Sequence, residues 1–144
     1  MRTITFYFDF ISPYAWLAFK ALPQALEGRA VRVIYQPILF AGLLKHFGQM
    51  GPAEIAGKRD WTYRQVLWLA HNQGASLKMP AAHPFNPLGL LRLALASDES
   101  GHPERRVCEV LFDHVWTTGA DPCDPAALEA LRTRLQIERD PQSD

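Results

Sequence analysis

The stretch Thr3-Ile4-Thr5-Phe6-Tyr7-Phe8-Asp9-Phe10-Ile11-Ser12-Pro13-Tyr14-Ala15-Trp16-Leu17-Ala18 decides how this chain is read. β-Branched and aromatic residues over 3–8 predict a strand. Ser12-Pro13 then opens a helix over 13–27, with Tyr14, Leu17, Ala18, Ala21, Leu22 and Leu26 at spacings of three and four and Gly28 as its stop. Proline suits the first helical position, because the N–H it lacks has no intrahelical partner there. Ser12 therefore sits at the carboxyl end of a strand and the mouth of a helix. Free backbone N–H groups and the helix dipole favour negative charge at such a point. Serine before proline is also an ordinary helix cap, and the dipeptide alone says no more. Val31-Arg32-Val33-Ile34-Tyr35-Gln36 forms the next predicted strand, ended by Pro37. Strand, helix and strand in so few residues make a βαβ unit with a parallel, right-handed pair.

The residues around Ser12 carry more than the dipeptide. Phe8-Asp9-Phe10-Ile11-Ser12-Pro13-Tyr14-Ala15-Trp16-Leu17-Ala18 resembles the amino-terminal motif of the 2-hydroxychromene-2-carboxylate isomerases and kappa-class glutathione transferases. These have a thioredoxin-like fold of the DsbA type. Thioredoxin-like proteins place a redox Cys-x-x-Cys where this chain has Ser12-Pro13-Tyr14-Ala15, so disulfide exchange through the motif is excluded. The resemblance implies that glutathione is the cofactor and that the Ser12 hydroxyl holds its thiolate. It also implies an α/β fold in which a large all-helical insertion interrupts the thioredoxin-like domain. The expected division is an amino-terminal βαβ part over 1–38, a helical insertion over 39–136 and a tail over 137–144. By the same resemblance, the last two strands and the final helix of the family fold are expected to be absent from this chain.

The remaining sequence fits a helical segment. Helices are predicted over 39–47, 58–73, 86–99, 103–118 and from Asp124-Pro125 to Leu135, with a Pro-broken loop over 76–84. Lys58-Arg59 opens the second of these, although cations at a helix amino terminus oppose the dipole. The resemblance implies that Lys58 contacts the carboxylate region of glutathione, and that Gln49 occupies the place of a family asparagine. Pro13 joins Ser12 in the implied glutathione site. Met79-Pro80-Ala81-Ala82-His83-Pro84-Phe85-Asn86-Pro87 resembles the family loop that borders the substrate cleft. On that basis Tyr14, Trp16, His83 and Asn86 are candidate substrate contacts, with Phe10 and Trp61 as further aromatic wall. Read from the residues alone, Asn86 caps the next helix, His83 is a loop histidine and the aromatics are core.

Bulk properties set limits. The chain has 144 residues with 48% hydrophobic, enough for one domain with a core. Fifteen Lys and Arg balance fifteen Asp and Glu, so no charged footprint for nucleic acid or an anionic membrane is visible. Neither a signal peptide nor a membrane span is evident, and a cytoplasmic location is expected. The two cysteines, Cys108 and Cys123, are expected to be free, with Cys108 packed in a helix. The five histidines fit no zinc template, so no metal is expected.

The expected activity is a glutathione-dependent isomerase of the 2-hydroxychromene-2-carboxylate type, acting on a small aromatic substrate. In it a thiolate adds to a ring carbon, the ring opens, a bond rotates and elimination returns the thiol. A kappa-class-like transferase is the alternative enzyme. A non-catalytic fragment or binding module is the alternative outside catalysis, with a free sheet edge that invites pairing between two chains. A homodimer is the expected assembly.

Overall fold

The computed structural model describes residues 1–140. The elements run β1 (Arg2–Phe8), α1 (Pro13–Ala25), β2 (Val31–Pro37), α2 (Phe40–His46), a one-turn 3₁₀ helix (Pro52–Glu54), α3 (Lys58–Asn72), α4 (Leu88–Ala96), α5 (Arg105–Trp116) and α6 (Pro125–Arg134). β1 and β2 pair in parallel, from Arg2 opposite Val31 to Phe8 opposite Pro37. Among the described residues the sheet has these two strands. The predicted strands and helices appear in the predicted order, with the one-turn 3₁₀ helix in addition; the helices are shorter at their ends, and each strand is one residue longer, at Arg2 and at Pro37. For α4 the reason is local. The Asn86 side chain accepts the Leu88 N–H at 3.1 Å, so the helix begins two residues later than predicted.

α1 contains Pro23, which cannot donate to the Phe19 carbonyl four residues back. That carbonyl is taken instead by Arg105 Nη2 of α5 at 2.9 Å. The same guanidinium donates to the Tyr35 hydroxyl at 2.8 Å and lies 4.0 Å over the Phe19 ring. One arginine thus repairs the gap that proline leaves and ties helix, strand and helical layer together.

The βαβ unit and the helical segment share one core. Phe8, Phe10 and Phe19 pack on Phe112 of α5 with ring centroids 4.8–5.2 Å apart. Trp16 and Trp116 are fully buried beside them. Trp16 Nε1 donates to Asp113 at 3.1 Å and Trp116 Nε1 to the Phe10 carbonyl at 3.0 Å. Residues 1–38 and 39–136 are therefore welded by common packing. Of the expected tail, residues 141–144 lie outside the described residues.

Both thiols are free. Cys108 is fully buried in α5, and burial pushes its thiol up to about 12. Cys123 is half-exposed, with Sγ 3.3 Å from the Asn86 carbonyl. A disulfide reagent at pH 8 is expected to titrate one thiol in the folded protein and the second only in denaturant. Two thiols reacting at once would contradict the buried position of Cys108.

Candidate functional site

The turn between β1 and α1 is built by Asp9. Its side chain accepts the Ile11 N–H at 3.1 Å, and its carbonyl accepts the Ser12 N–H at 3.2 Å. Its second carboxylate oxygen accepts the Phe40 N–H at the start of α2, at 2.9 Å. A single buried carboxylate thus fixes both the approach to Ser12 and the position of α2. Burial raises the Asp9 pKa above the ordinary carboxylate value, against the lowering effect of these N–H groups.

The folded Asp9 therefore keeps its proton to higher pH than the unfolded one. Stability from this group is greatest at low pH and falls as pH rises from about 4, the unfolded value, through the higher folded value. In Asp9→Asn this fall should vanish from the pH profile of urea unfolding. The amide can serve only one of the two N–H groups as acceptor, so a loss of about 1–3 kcal/mol at pH 7 is expected. An unchanged midpoint with an unchanged pH slope would show that Asp9 does not hold the turn.

Ser12 caps α1, and its Oγ accepts the Ala15 N–H at 3.1 Å. Capping uses an acceptor lone pair of the hydroxyl, so its hydrogen stays free to donate. The Ser12 N–H is spent on Asp9, and Pro13 has none. Among the described residues the Tyr14 N–H has no hydrogen-bond partner. The mouth of the helix therefore presents a hydroxyl and one backbone N–H.

A cavity of about 340 Å³ opens there. Its wall runs from Asp9 to Tyr14, across α2 and the 3₁₀ turn, to Thr62 and Tyr63 of α3 and the loop at His83–Phe85. Most of the wall is apolar, so hydrogen bonds inside it act in a medium of low dielectric. A second cavity, of about 280 Å³, lies between the end of β2 and α4 and shares no lining residue with the first.

His83 is not the free loop histidine the sequence suggested. It is half-buried, with Nε2 2.8 Å from the Ile11 carbonyl and Nδ1 2.7 Å from the Tyr63 hydroxyl. Burial lowers its pKa, and the nearby Arg59 charge acts the same way. With both nitrogens bonded, it has no open position for general acid work.

The cavity brings together Ser12, Pro13, Tyr14 and His83. The Tyr14 hydroxyl donates to Gln65 of α3. Trp16 as a substrate contact and Phe10 as aromatic wall are corrected. Both are fully buried in the common core, because helical spacing turns Trp16 inward from the mouth. Asn86 is exposed and outside the cavity lining, and its side chain caps α4, as the residues alone suggest. Gln49 and Lys58 are exposed and stand outside the cavity lining, as does Trp61. Sequence reasoning gave no role to Asp9 or Tyr63, and of the Lys58-Arg59 pair it chose Lys58. The cation at the start of α3 was a usable signal: Arg59 Nη2 reaches the His83 carbonyl at 3.3 Å.

The chain is similar to known proteins in sequence and in fold. Human glutathione S-transferase kappa 1 is 24% identical over 139 residues, covering 90% of this chain and 60% of that protein. The 2-hydroxychromene-2-carboxylate isomerase of Sphingobium xenophagum is 24% identical over 141 residues, covering 96% of this chain and 71% of that protein. A solved structure of 2-hydroxychromene-2-carboxylate isomerase superposes with a TM-score of 0.73 at 22% identity, over 94% of this chain and 66% of that one. The chain thus spans about 60% of the length of the human relative. Among the described residues no helix is long and apolar enough to cross a membrane. A family model described as the DSBA-like thioredoxin domain matches residues 3–141, almost the whole length, and the chain belongs to that family.

Proposed function

We propose that this chain binds glutathione with its sulfur at Ser12 and uses the thiolate in a glutathione-dependent isomerisation of the 2-hydroxychromene-2-carboxylate type. The observation that carries this reading is the Ser12 hydroxyl. It is held by the Ala15 N–H, keeps its own hydrogen and sits on the wall of an apolar cavity. A hydroxyl hydrogen bond and a helix amino terminus both favour a thiolate over a thiol, whose ordinary pKa is near 8.5. The Tyr14 N–H adds a second donor at the same mouth. Tyr14 and Phe85 give the cavity aromatic wall for a flat substrate. Pro13 and Gln49 belong to the glutathione site in this reading, and exposed Lys58 takes a carboxylate of the peptide beyond the cavity. A transferase of the kappa type is the second reading. It is favoured by the human relative, which matches at the same identity as the isomerase. The protein is read as a cytoplasmic homodimer.

Calorimetric titration of reduced glutathione, repeated in buffers of different ionisation enthalpy, tests the site. Binding with release of a proton near neutral pH is expected. Absence of binding would remove both enzyme readings and leave a non-catalytic binding module.

A further inference from the structure

We propose that His83, held by Tyr63, is a positioning residue that fixes the Ile11–Ser12 peptide and so aims the Ser12 hydroxyl. The glutathione reading above is needed only for what that hydroxyl then serves.

Ile11 lies in neither strand nor helix, so its backbone groups must find other partners. Side chains take both. Asp9 accepts its N–H at 3.1 Å, and His83 Nε2 lies 2.8 Å from its carbonyl. Asp9 is local, whereas His83 comes from 72 residues away. A carbonyl oxygen can only accept, so Nε2 must carry the hydrogen. A neutral imidazole then has a bare Nδ1, which accepts from the Tyr63 hydroxyl at 2.7 Å. The other tautomer would set a ring lone pair against the Ile11 oxygen. Tyr63 also lies 3.1 Å from the His83 carbonyl, which Arg59 reaches as well. Arg59 and Tyr63 are four apart on α3, so one helix face grips one loop residue.

The clamp has two effects on Ser12. It holds the cap backbone at φ −93° and ψ 116°, the extended geometry from which Oγ meets the Ala15 N–H. It also turns the Ile11 carbonyl dipole toward an N–H donor. An unpaired carbonyl oxygen beside Ser12 would repel a thiolate.

The test compares the wild type with His83→Ala, His83→Gln and Tyr63→Phe. Glutamine offers an amide N–H near the place of Nε2. Two readouts are taken: the Ser12 and Ala15 amide resonances without ligand, and the pH midpoint of the thiolate absorbance of bound glutathione. His83→Ala is expected to displace both resonances and raise the midpoint by about one unit, a tenfold loss of thiolate below it. His83→Gln should restore most of both effects. Tyr63→Phe should act in the same direction as alanine, and more weakly.

Undisplaced Ser12 and Ala15 resonances, or a glutamine variant no better than alanine, would overturn the proposal. Should wild type bind no glutathione, the functional reading falls, and the two resonances still decide whether His83 positions Ser12. If His83→Ala does not fold, Tyr63→Phe and His83→Gln carry the comparison.

Discussion

Ser12→Ala is expected to weaken glutathione binding at pH 7 by about ten- to a hundredfold. A hydrogen bond to a charged group contributes about 1.5–3 kcal/mol, and 1.4 kcal/mol is a factor of ten. The loss should be pH-dependent. The hydroxyl favours the thiolate, so the midpoint for ionisation of the bound thiol should rise by about one unit or more in the variant. Calorimetry measures the first effect and thiolate absorbance the second. The substitution also removes the cap, since Oγ accepts the Ala15 N–H. That should cost about 1 kcal/mol of stability, visible as a lower urea midpoint. Ser12→Thr keeps both acceptor and donor and should recover most of each loss. Equal binding by wild type and Ser12→Ala would place the sulfur elsewhere, even with the cap effect intact.

Trp116→Ala is expected to give a large stability loss, about 4 kcal/mol by urea unfolding. Removing a fully buried large aromatic side chain costs roughly 3–5 kcal/mol through lost burial and the cavity left behind. Trp116 is fully buried, and its Nε1 holds the Phe10 carbonyl at 3.0 Å. That carbonyl lies in the turn leading to Ser12, so the variant also loosens the site. The Trp116 ring also packs against His83, with centroids 5.5 Å apart. Trp116→Phe keeps most of the ring and loses the N–H, and should fall between the two. A loss below about 1 kcal/mol for the alanine variant would mean that α5 is not part of the common core. Domains of this size have about 5–15 kcal/mol in all, so the full loss would leave a marginal protein.

Much of the site's approach was legible because it is local. The β-branched and aromatic run over 3–8, the cap at Ser12 and the proline after it are short-range signals, and all appear where expected. Cys108 was readable as a packed thiol because it falls in an apolar helical repeat. Lys58-Arg59 was flagged by its conflict with the helix dipole. The structure assigns Arg59 the His83 carbonyl and leaves Lys58 exposed. Trp16 shows the limit. Its aromatic character suits a cleft as well as a core, and only the packing of α5 decides between them. It seals Trp16 inside and pairs its Nε1 with Asp113, 97 residues away.

The sequence by itself determined the order of elements, the parallel βαβ start and the hydroxyl in place of a thiol at the helix mouth. These depend on residues within one or two turns of each other, where spacing and capping chemistry act directly. The tertiary structure decided which side chains surround that hydroxyl. Asp9 meets the start of α2, Tyr63 meets His83, and His83 meets Ile11 across separations of 31, 20 and 72 residues. No local pattern encodes such contacts. They follow from burying shared apolar surface, which brings α2, α3 and the loop to the mouth of α1 and obliges every polar group there to find a partner.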